Sequence, residues 1–159
     1  MQSNTKNQSL EIYCDGGSRR NPGPAAIGVV VKNKNKEIVF EASQKIGNTT
    51  NNVAEYTALI TALIWLKKYS LSNKIISIKV YLDSNLVVNQ INGKFKVKKP
   101  HLSKLVKQIM VLENEIGLSR SNNNQTLFSI NSIKIQYIFI RREKNFEADA
   151  LVNKALDNS

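Results

Sequence analysis

Residues 10–15 read Leu-Glu-Ile-Tyr-Cys-Asp, and residues 76–83 read Ile-Ser-Ile-Lys-Val-Tyr-Leu-Asp. Both are short apolar runs of strand type that end in an aspartate and are followed at once by turn or helix-start residues. If the two strands are parallel neighbours, Asp15 and Asp83 emerge together at the carboxyl edge of one sheet, where open α/β sheets bind ligands. Two carboxylates at one edge repel each other unless a cation lies between them. The sequence therefore predicts a metal site.

The composition favours one domain with an anionic partner. The chain has 159 residues, which suffices for a single hydrophobic core. Lys and Arg total 23 against 12 Asp and Glu, and the resulting net charge of +11 favours a nucleic acid. No apolar stretch approaches the roughly 20 residues of a membrane span. An acidic membrane surface is the rival partner, but no Lys/Arg-rich amphipathic helix with a broad apolar face is evident, so no membrane association is expected. A single cysteine, Cys14, excludes an internal disulfide and fits a reducing, cytoplasmic location.

Hydrophobic periodicity and turn residues predict the element order βββαβααβα. The polar residues 1–9 are predicted to be a disordered tail, residues 10–156 one domain, and residues 118–130 a flexible loop. Strands are predicted at about 10–14, 25–32, 37–46, 76–82 and 133–140. Helices are predicted at about 53–68, 84–91, 100–117 and 145–156. The pattern indicates an α/β fold in which helices flank a five-stranded mixed sheet whose first three strands are antiparallel.

Two further acids are predicted to point inward from helices. Glu55 shares a helix face with Leu59 and should therefore face the sheet. Asp149 lies beside an apolar stripe of the last helix, and a carboxylate at such an edge is costly unless it is paired or binds metal. Each acid alone could instead be a helix cap, a first-turn acid or a surface residue. Their joint occurrence in a chain with few acids favours a shared site.

Four segments resemble, in order, the motifs of type 1 ribonuclease H. They are YCDGGSRRNPGPA at 13–25, TTNNVAE at 49–55, VYLDS at 80–84 and NFEADAL at 145–151. Four motifs in order, on suitable elements, are far more specific than any one of them. The similarity spans roughly residues 10–156 and implies a ribonuclease H-like fold.

The resemblance implies cleavage of the RNA strand of RNA–DNA hybrids, with 5′-phosphate and 3′-hydroxyl products. It implies that Asp15, Glu55, Asp83 and Asp149 are catalytic and hold two divalent ions, Mg²⁺ or Mn²⁺. Hard oxygen ligands suit Mg²⁺, and paired ions can activate a water and stabilise the departing oxygen. The expected partner is the hybrid itself. No obligate protein partner is evident, and a monomer is expected.

Two groups of residues match substrate contacts of the family. The first group would read ribose 2′-hydroxyls, since amides both donate and accept hydrogen bonds, and comprises Gly16, Asn21, Asn51, Asn52 and Asn85. The asparagines could equally cap turns and helices, and both roles can hold at once. The second group would contact DNA phosphates and comprises Lys94, Lys96 and Lys98. Phe95 and Val97 would then pack beneath these lysines; the alternative is a solvated basic connector.

One position departs from many family members. These carry a histidine in the loop before the last helix, where this chain reads Ile-Arg-Arg-Glu-Lys-Asn at residues 140–145. The only histidine, His101, lies elsewhere and is predicted to be incidental. Arg141, Arg142 or Glu143 are candidates to take its place, and the pattern is similar to the compact bacterial and archaeal branch.

Two other functions stay open from the sequence. One is a noncatalytic, basic nucleic-acid-binding module, which the charge and the missing histidine would suit. The other is a related nuclease that acts on double-stranded RNA or on RNA–DNA junctions. The intact set of four acids argues against the first alternative, since a pure binder has no reason to bury acids near phosphate. A panel of substrates would decide the second.

Overall fold

A computed structural model describes residues 6–120 and 132–158 of the chain. The strands of this part are β1 (Gln8–Ser18), β2 (Gly23–Lys32), β3 (Ile38–Thr49), β4 (Ile75–Leu82), β5 (Leu118–Arg120) and β6 (Ile133–Phe139). Its helices are α1 (Asn51–Tyr69), α2 (Asn85–Ile91), α3 (Pro100–Ile116) and α4 (Phe146–Asp157), with a short 3-10 turn at Arg142–Lys144. None of these helices is long and apolar enough to cross a membrane.

The six strands form one mixed sheet in the order β3-β2-β1-β4-β6-β5. The pairs β1–β2 and β2–β3 are antiparallel, whereas β1–β4, β4–β6 and β5–β6 are parallel. Cys14 of β1 lies opposite Leu82 of β4 in the parallel register. The next residue of each strand is therefore an aspartate at the same edge of the sheet. The predicted fold class and the parallel neighbourhood of these two strands are confirmed.

The predicted number of strands is wrong by one. Leu118–Arg120, at the start of the predicted flexible loop, forms the short strand β5. Arg120 holds it in place, because its guanidinium pairs with the buried Glu113 at 3.1 Å and donates to the carbonyl of Ile91. Such a tertiary ion pair leaves no periodic pattern in the sequence. Residues 121–130 of the predicted loop lie outside the described residues.

The predicted boundary of the N-terminal tail is also wrong. Gln8 and Ser9 belong to β1, since the Gln8 N–H donates to the carbonyl of Lys74 at 2.8 Å and the Ser77 hydroxyl donates to Ser9 Oγ at 2.8 Å. The polar residues of this extension give no strand-like hydrophobic pattern, because the extension is paired through its backbone rather than through apolar side chains. Residues 1–5 of the predicted tail lie outside the described residues.

Two hydrophobic layers cover opposite faces of the sheet. Adjacent β1 residues show this, because Gly16 faces the backbone of α1 whereas Gly17 faces Val152 of α4. The layer under α1 and α3 contains most of the buried side chains, and each fully buried Leu, Ile or Val there contributes about 1.5–3 kcal/mol. The layer under α4 is small and comprises Ala26, Val152 and Ala155, with Leu156 packed against them. Small residues on β2 thus allow α4 to lie close to the sheet.

Candidate active site

Three carboxylates from three elements meet at the carboxyl edge of the sheet. Asp15 is on β1, Glu55 is near the start of α1, and Asp83 directly follows β4. One ligand oxygen from each of the three lies within 4.8 Å of the others. Asp15 is 6% exposed and Glu55 7% exposed, so neither carboxylate is freely hydrated. The structure thus brings together three of the four acids that the sequence singles out.

The absence of a side chain at Gly16 positions Glu55. A Cβ at residue 16 would lie 2.2 Å from the carbonyl carbon of Ala54 and 2.4 Å from the backbone nitrogen of Glu55. Both distances are far below any normal contact, so only glycine lets α1 approach β1 this closely. The helix backbone next to Glu55 therefore touches the strand residue next to Asp15. This contact sets the separation of the two carboxylates.

Asparagine side chains tie the start of α1 to the turn between β1 and β2. Asn51 Oδ1 accepts a hydrogen bond from the Ser18 N–H at 2.7 Å, and Asn21 Oδ1 accepts one from the Asn51 N–H at 2.9 Å. Thr50 caps the helix, since its Oγ1 accepts from the Val53 N–H. Asn21 and Asn51 thus have the structural role that the sequence left open beside substrate binding.

Asp149 lies at the rim of the carboxylate cluster rather than within it. Its Oδ1 accepts a hydrogen bond from the Arg142 guanidinium at 2.9 Å, and its Oδ2 accepts one from Asn153 at 3.2 Å. The side chain is 27% exposed. Asp149 is thus half-buried and paired with a cation, whereas Asp15 and Glu55 are buried. Its carboxylate turns to the guanidinium because the planar fork of arginine suits a carboxylate.

All four acids line one cavity of about 530 Å³. Its other lining residues are Gly16, Gly17, Ser18, Arg19, Asn51, Asn52, Ser84, Arg142, Val152, Asn153 and Leu156. Of the predicted 2′-hydroxyl contacts, Gly16, Asn51 and Asn52 are on this wall. Asn21 and Asn85 are not among its lining residues. Asn21 Oδ1 accepts from the Asn51 N–H, and Asn85 Oδ1 accepts a hydrogen bond from the Asn89 side chain at 2.9 Å.

Burial and mutual repulsion raise the pKa of the clustered carboxyls. The pKa of Asp15 rises to about 7 through burial, then through the charges of Asp83 and Asp149. The pKa of Glu55 lies well above its ordinary value, chiefly because of burial. Burial also raises the pKa of Asp83, although a hydrogen bond from Asn145 and the charge of Arg142 oppose the rise. The raised pKa values show that the positive charge near these carboxyls does not balance their negative charges.

Two buried oxygens of the cluster lack a hydrogen-bond donor, namely Glu55 Oε2 and Asp83 Oδ2. Buried polar atoms are nearly always paired, so orphaned carboxylate oxygens require a partner. Three carboxylates within reach of one point are the donor set that a hard divalent cation prefers. The residues of this cluster therefore fit a Mg²⁺ or Mn²⁺ ion.

The raised pKa of Asp15 predicts a pH-dependent stability difference. Between about pH 4 and pH 7 the metal-free native state binds more protons at this site than the unfolded chain, so its stability falls as pH rises. We expect Asp15→Asn to stabilise the metal-free protein by up to about 4 kcal/mol at pH 8 and hardly at all below pH 4. Urea unfolding of both proteins in EDTA across this range measures the difference. An equal difference at every pH would contradict the prediction.

A second groove adjoins the cavity and carries the predicted phosphate-binding lysines. Its volume is about 620 Å³, and it is lined by Asn52, Leu86, Gln90, Lys94, Phe95, Lys96, Lys98, Lys99 and Leu102. Asn52 lines both spaces, so they are neighbours. Val97 packs against the core as expected. Phe95 is 47% exposed and lines the groove together with these lysines.

Two further residues contact the site, Asn145, which no sequence signal indicates, and Arg142, which the sequence offers only as one of three candidates. Asn145 is 1% exposed, and its Nδ2 donates to the carbonyl of Cys14 at 2.9 Å. Its position directly before a helix is a signal for a cap, not for a bond to a distant strand. The guanidinium of Arg142 lines the cavity and binds Asp149. His101 is exposed at the start of α3 and lines neither space.

The chain matches one family model and is similar to solved structures of ribonucleases H. A family model described as reverse transcriptase-like matches residues 13–116. LC11-RNase H1, crystallised with an RNA/DNA hybrid, has a TM-score of 0.79 and 39% identity, with coverage of 93% of this chain and 96% of that one. RNase H1 from Halobacterium salinarum has a TM-score of 0.78 and 32% identity, covering 95% and 99%.

Two curated relatives are longer than this chain. The Mycobacterium tuberculosis protein named Bifunctional protein Rv2228c is 39% identical over 147 residues, which cover 92% of this chain but 35% of that protein. Ribonuclease HI of Halobacterium salinarum is 35% identical over 150 residues, covering 94% and 65%. The similarity thus spans nearly all of this chain and only part of these relatives.

Proposed function

This chain belongs to the type 1 ribonuclease H family, and on that premise we propose that it hydrolyses the RNA strand of RNA–DNA hybrids. The observation that carries the proposal is the cluster of buried Asp15 and Glu55 with half-buried Asp83, at one sheet edge of a chain with net charge +11. Carboxylates that are held together in an otherwise basic protein repel one another, and a bound cation would relieve this repulsion. A phosphodiester backbone is the anion that such a surface and such a site would bind together.

We further propose that two divalent ions, Mg²⁺ or Mn²⁺, are held by this site. Asp15, Glu55 and Asp83 would hold one ion, and Asp15 with Asp149 would contribute to the other. When bound, such ions supply a water of lowered pKa and neutralise charge on the leaving oxygen, which gives 5′-phosphate and 3′-hydroxyl products. A monomeric state and a cytoplasmic location stay predictions.

The protein's own groups orient the substrate and balance its charge. Asn51 and Asn52 line the cavity and can present amides to ribose 2′-hydroxyls, the groups that distinguish RNA from DNA. Arg142 places a permanent cation beside Asp149 and close enough to Asp15 and Asp83 to lower their pKa. We propose that this guanidinium offsets the repulsion between the scissile phosphate and the carboxylates.

The lysine groove should anchor the DNA strand through its phosphates. We expect Lys96→Gln to weaken hybrid binding and to reduce the slope of log Kd against log salt concentration by about 1, the value for one lost phosphate contact. Lys74→Gln is the matched control, because Lys74 is exposed at the amino end of β4, opposite the cavity. Fluorescence anisotropy with a labelled hybrid in EDTA, over a series of salt concentrations, measures both slopes. Equal slopes for the two variants would refute the assignment.

Cleavage of a defined substrate panel tests the proposed function. A hybrid with labelled RNA, the matching double-stranded RNA and an RNA–DNA junction are each incubated with Mg²⁺ or with Mn²⁺. We expect metal-dependent cleavage of the RNA strand of the hybrid and 5′-phosphate ends on the products. Binding of the hybrid without cleavage in either metal would favour the noncatalytic alternative. Faster cleavage of the duplex RNA or the junction would reassign the substrate.

A further inference from the structure

The loop between β6 and α4 is fixed directly beside the catalytic carboxylates. At its start, the Ile140 N–H donates to the carbonyl of Leu82 at 2.9 Å, and Leu82 immediately precedes Asp83. At its end, the Asn145 side chain donates to the carbonyl of Cys14 at 2.9 Å, and Cys14 immediately precedes Asp15. Between them, a 3-10 turn spans Arg142–Lys144. Groups on this loop are therefore held at a defined place next to the cavity.

The loop and the first turn of α4 present two cations and an aromatic ring to solvent. Phe146, the first residue of α4, is 64% exposed. It lies one helical turn before Asp149, and the cavity-lining residues Asp149, Val152, Asn153 and Leu156 continue the same stripe of the helix. Arg141 and Lys144 are exposed, and within the described residues neither forms an ion pair. A large apolar ring here contributes nothing to either core.

An aromatic ring flanked by unpaired cations suits one chemical partner, an unpaired nucleotide. Base stacking on an aromatic side chain and ion pairing with the adjacent phosphates are the two interactions that bind single strands without sequence preference. Bases inside a paired hybrid are stacked on each other and cannot reach such a ring. We propose that Phe146, Arg141 and Lys144, here named the α4 rim, bind an unpaired nucleotide that extends from the hybrid beyond the catalytic cavity.

This inference rests on the proposed function, because the hybrid in the cavity brings the extension to the α4 rim. The test compares kcat/KM on a blunt hybrid with that on the same hybrid carrying a short single-stranded extension, on the RNA strand in one arm and on the DNA strand in another. We expect the native chain to prefer one extended substrate and Phe146→Leu to reduce that preference about tenfold, the usual scale of one lost stacking contact. Phe146→Tyr should keep it. Met110→Ala, which alters another exposed apolar residue, on α3, is the control.

A second readout is independent of hydrolysis. In EDTA, a 2-aminopurine base in the extension should lose fluorescence on binding to the native chain and to Phe146→Tyr, but not to Phe146→Leu. Equal quenching by the native chain and Phe146→Leu, or no quenching with either strand extended, would overturn the proposal. If no hybrid is cleaved, the proposed function fails, and the quenching measurement still decides the α4 rim by itself.

Discussion

Replacement of Asp15 by asparagine should lower kcat for hybrid cleavage by roughly a thousandfold, the scale on which one preorganised electrostatic group acts. The charges of both Asp83 and Asp149 raise the pKa of Asp15, so its carboxylate is close to acids on two other elements. The asparagine side chain has nearly the same shape as that of aspartate, but it lacks the negative charge and one of the two oxygens that could bind a metal ion. Steady-state kinetics at saturating hybrid, in Mg²⁺ and in Mn²⁺, measure the loss.

This variant separates a catalytic effect from a folding defect. Asp15→Asn relieves repulsion in the metal-free site, so its melting temperature in EDTA at pH 8 should exceed that of the native chain. Mg²⁺ should raise the melting temperature of the native chain more than that of the variant, because a ligand stabilises only the state that binds it. Glu115→Gln, which removes an exposed carboxylate on α3, is the matched control. Cleavage by Asp15→Asn within tenfold of the native rate would refute the role of the cluster.

The sequence predicts well those helices and strands that are determined by nearby residues, such as a hydrophobic run or a capping side chain. The apolar runs predicted as strands at 10–14 and 76–82 lie within β1 and β4, although β1 continues through the glycines that the pattern predicts as a turn. The capping side chain of Thr50 marks the start of α1. The convergence of Asp15 and Asp83 follows once the two strands are parallel neighbours, since register alone then places them at one edge. The local sequence pattern and the geometry of the sheet together account for the positions of Asp15 and Asp83.

The features that the sequence does not reveal depend on contacts between distant segments. Arg120 forms β5 through Glu113 and the Ile91 carbonyl, and Asn145 fixes the last loop through the Cys14 carbonyl. Neither residue type nor spacing indicates these partners. Asp149 turns toward Arg142 for the same reason, because the competing cation lies on the 3-10 turn before α4. The burial of each carboxylate thus depends on tertiary contacts rather than on the local sequence.

Two adjacent glycines offer the sharpest test of how the fold positions the site. At Gly16 a Cβ would lie 2.2 Å from the Ala54 carbonyl carbon, a backbone atom that cannot move without α1. At Gly17 a Cβ would lie 3.4 Å from a methyl group of Val152, which is an ordinary contact. We expect Gly16→Ala to destabilise the protein by about 1–3 kcal/mol, the usual cost of overpacking. Gly17→Ala should change stability by less than about 1 kcal/mol.

The two variants should differ even more in activity. A helix displaced by the new methyl group at residue 16 carries Glu55 away from Asp15, and a misplacement of about 1 Å costs roughly a hundredfold in rate. We therefore expect Gly16→Ala to lose about two orders of magnitude in kcat at a temperature where it is fully folded, whereas Gly17→Ala stays within a few-fold of the native chain. Circular dichroism establishes the folded fraction before kinetics are measured. Similar losses in both variants would show that the approach of α1 to β1 does not set the geometry of the carboxylates.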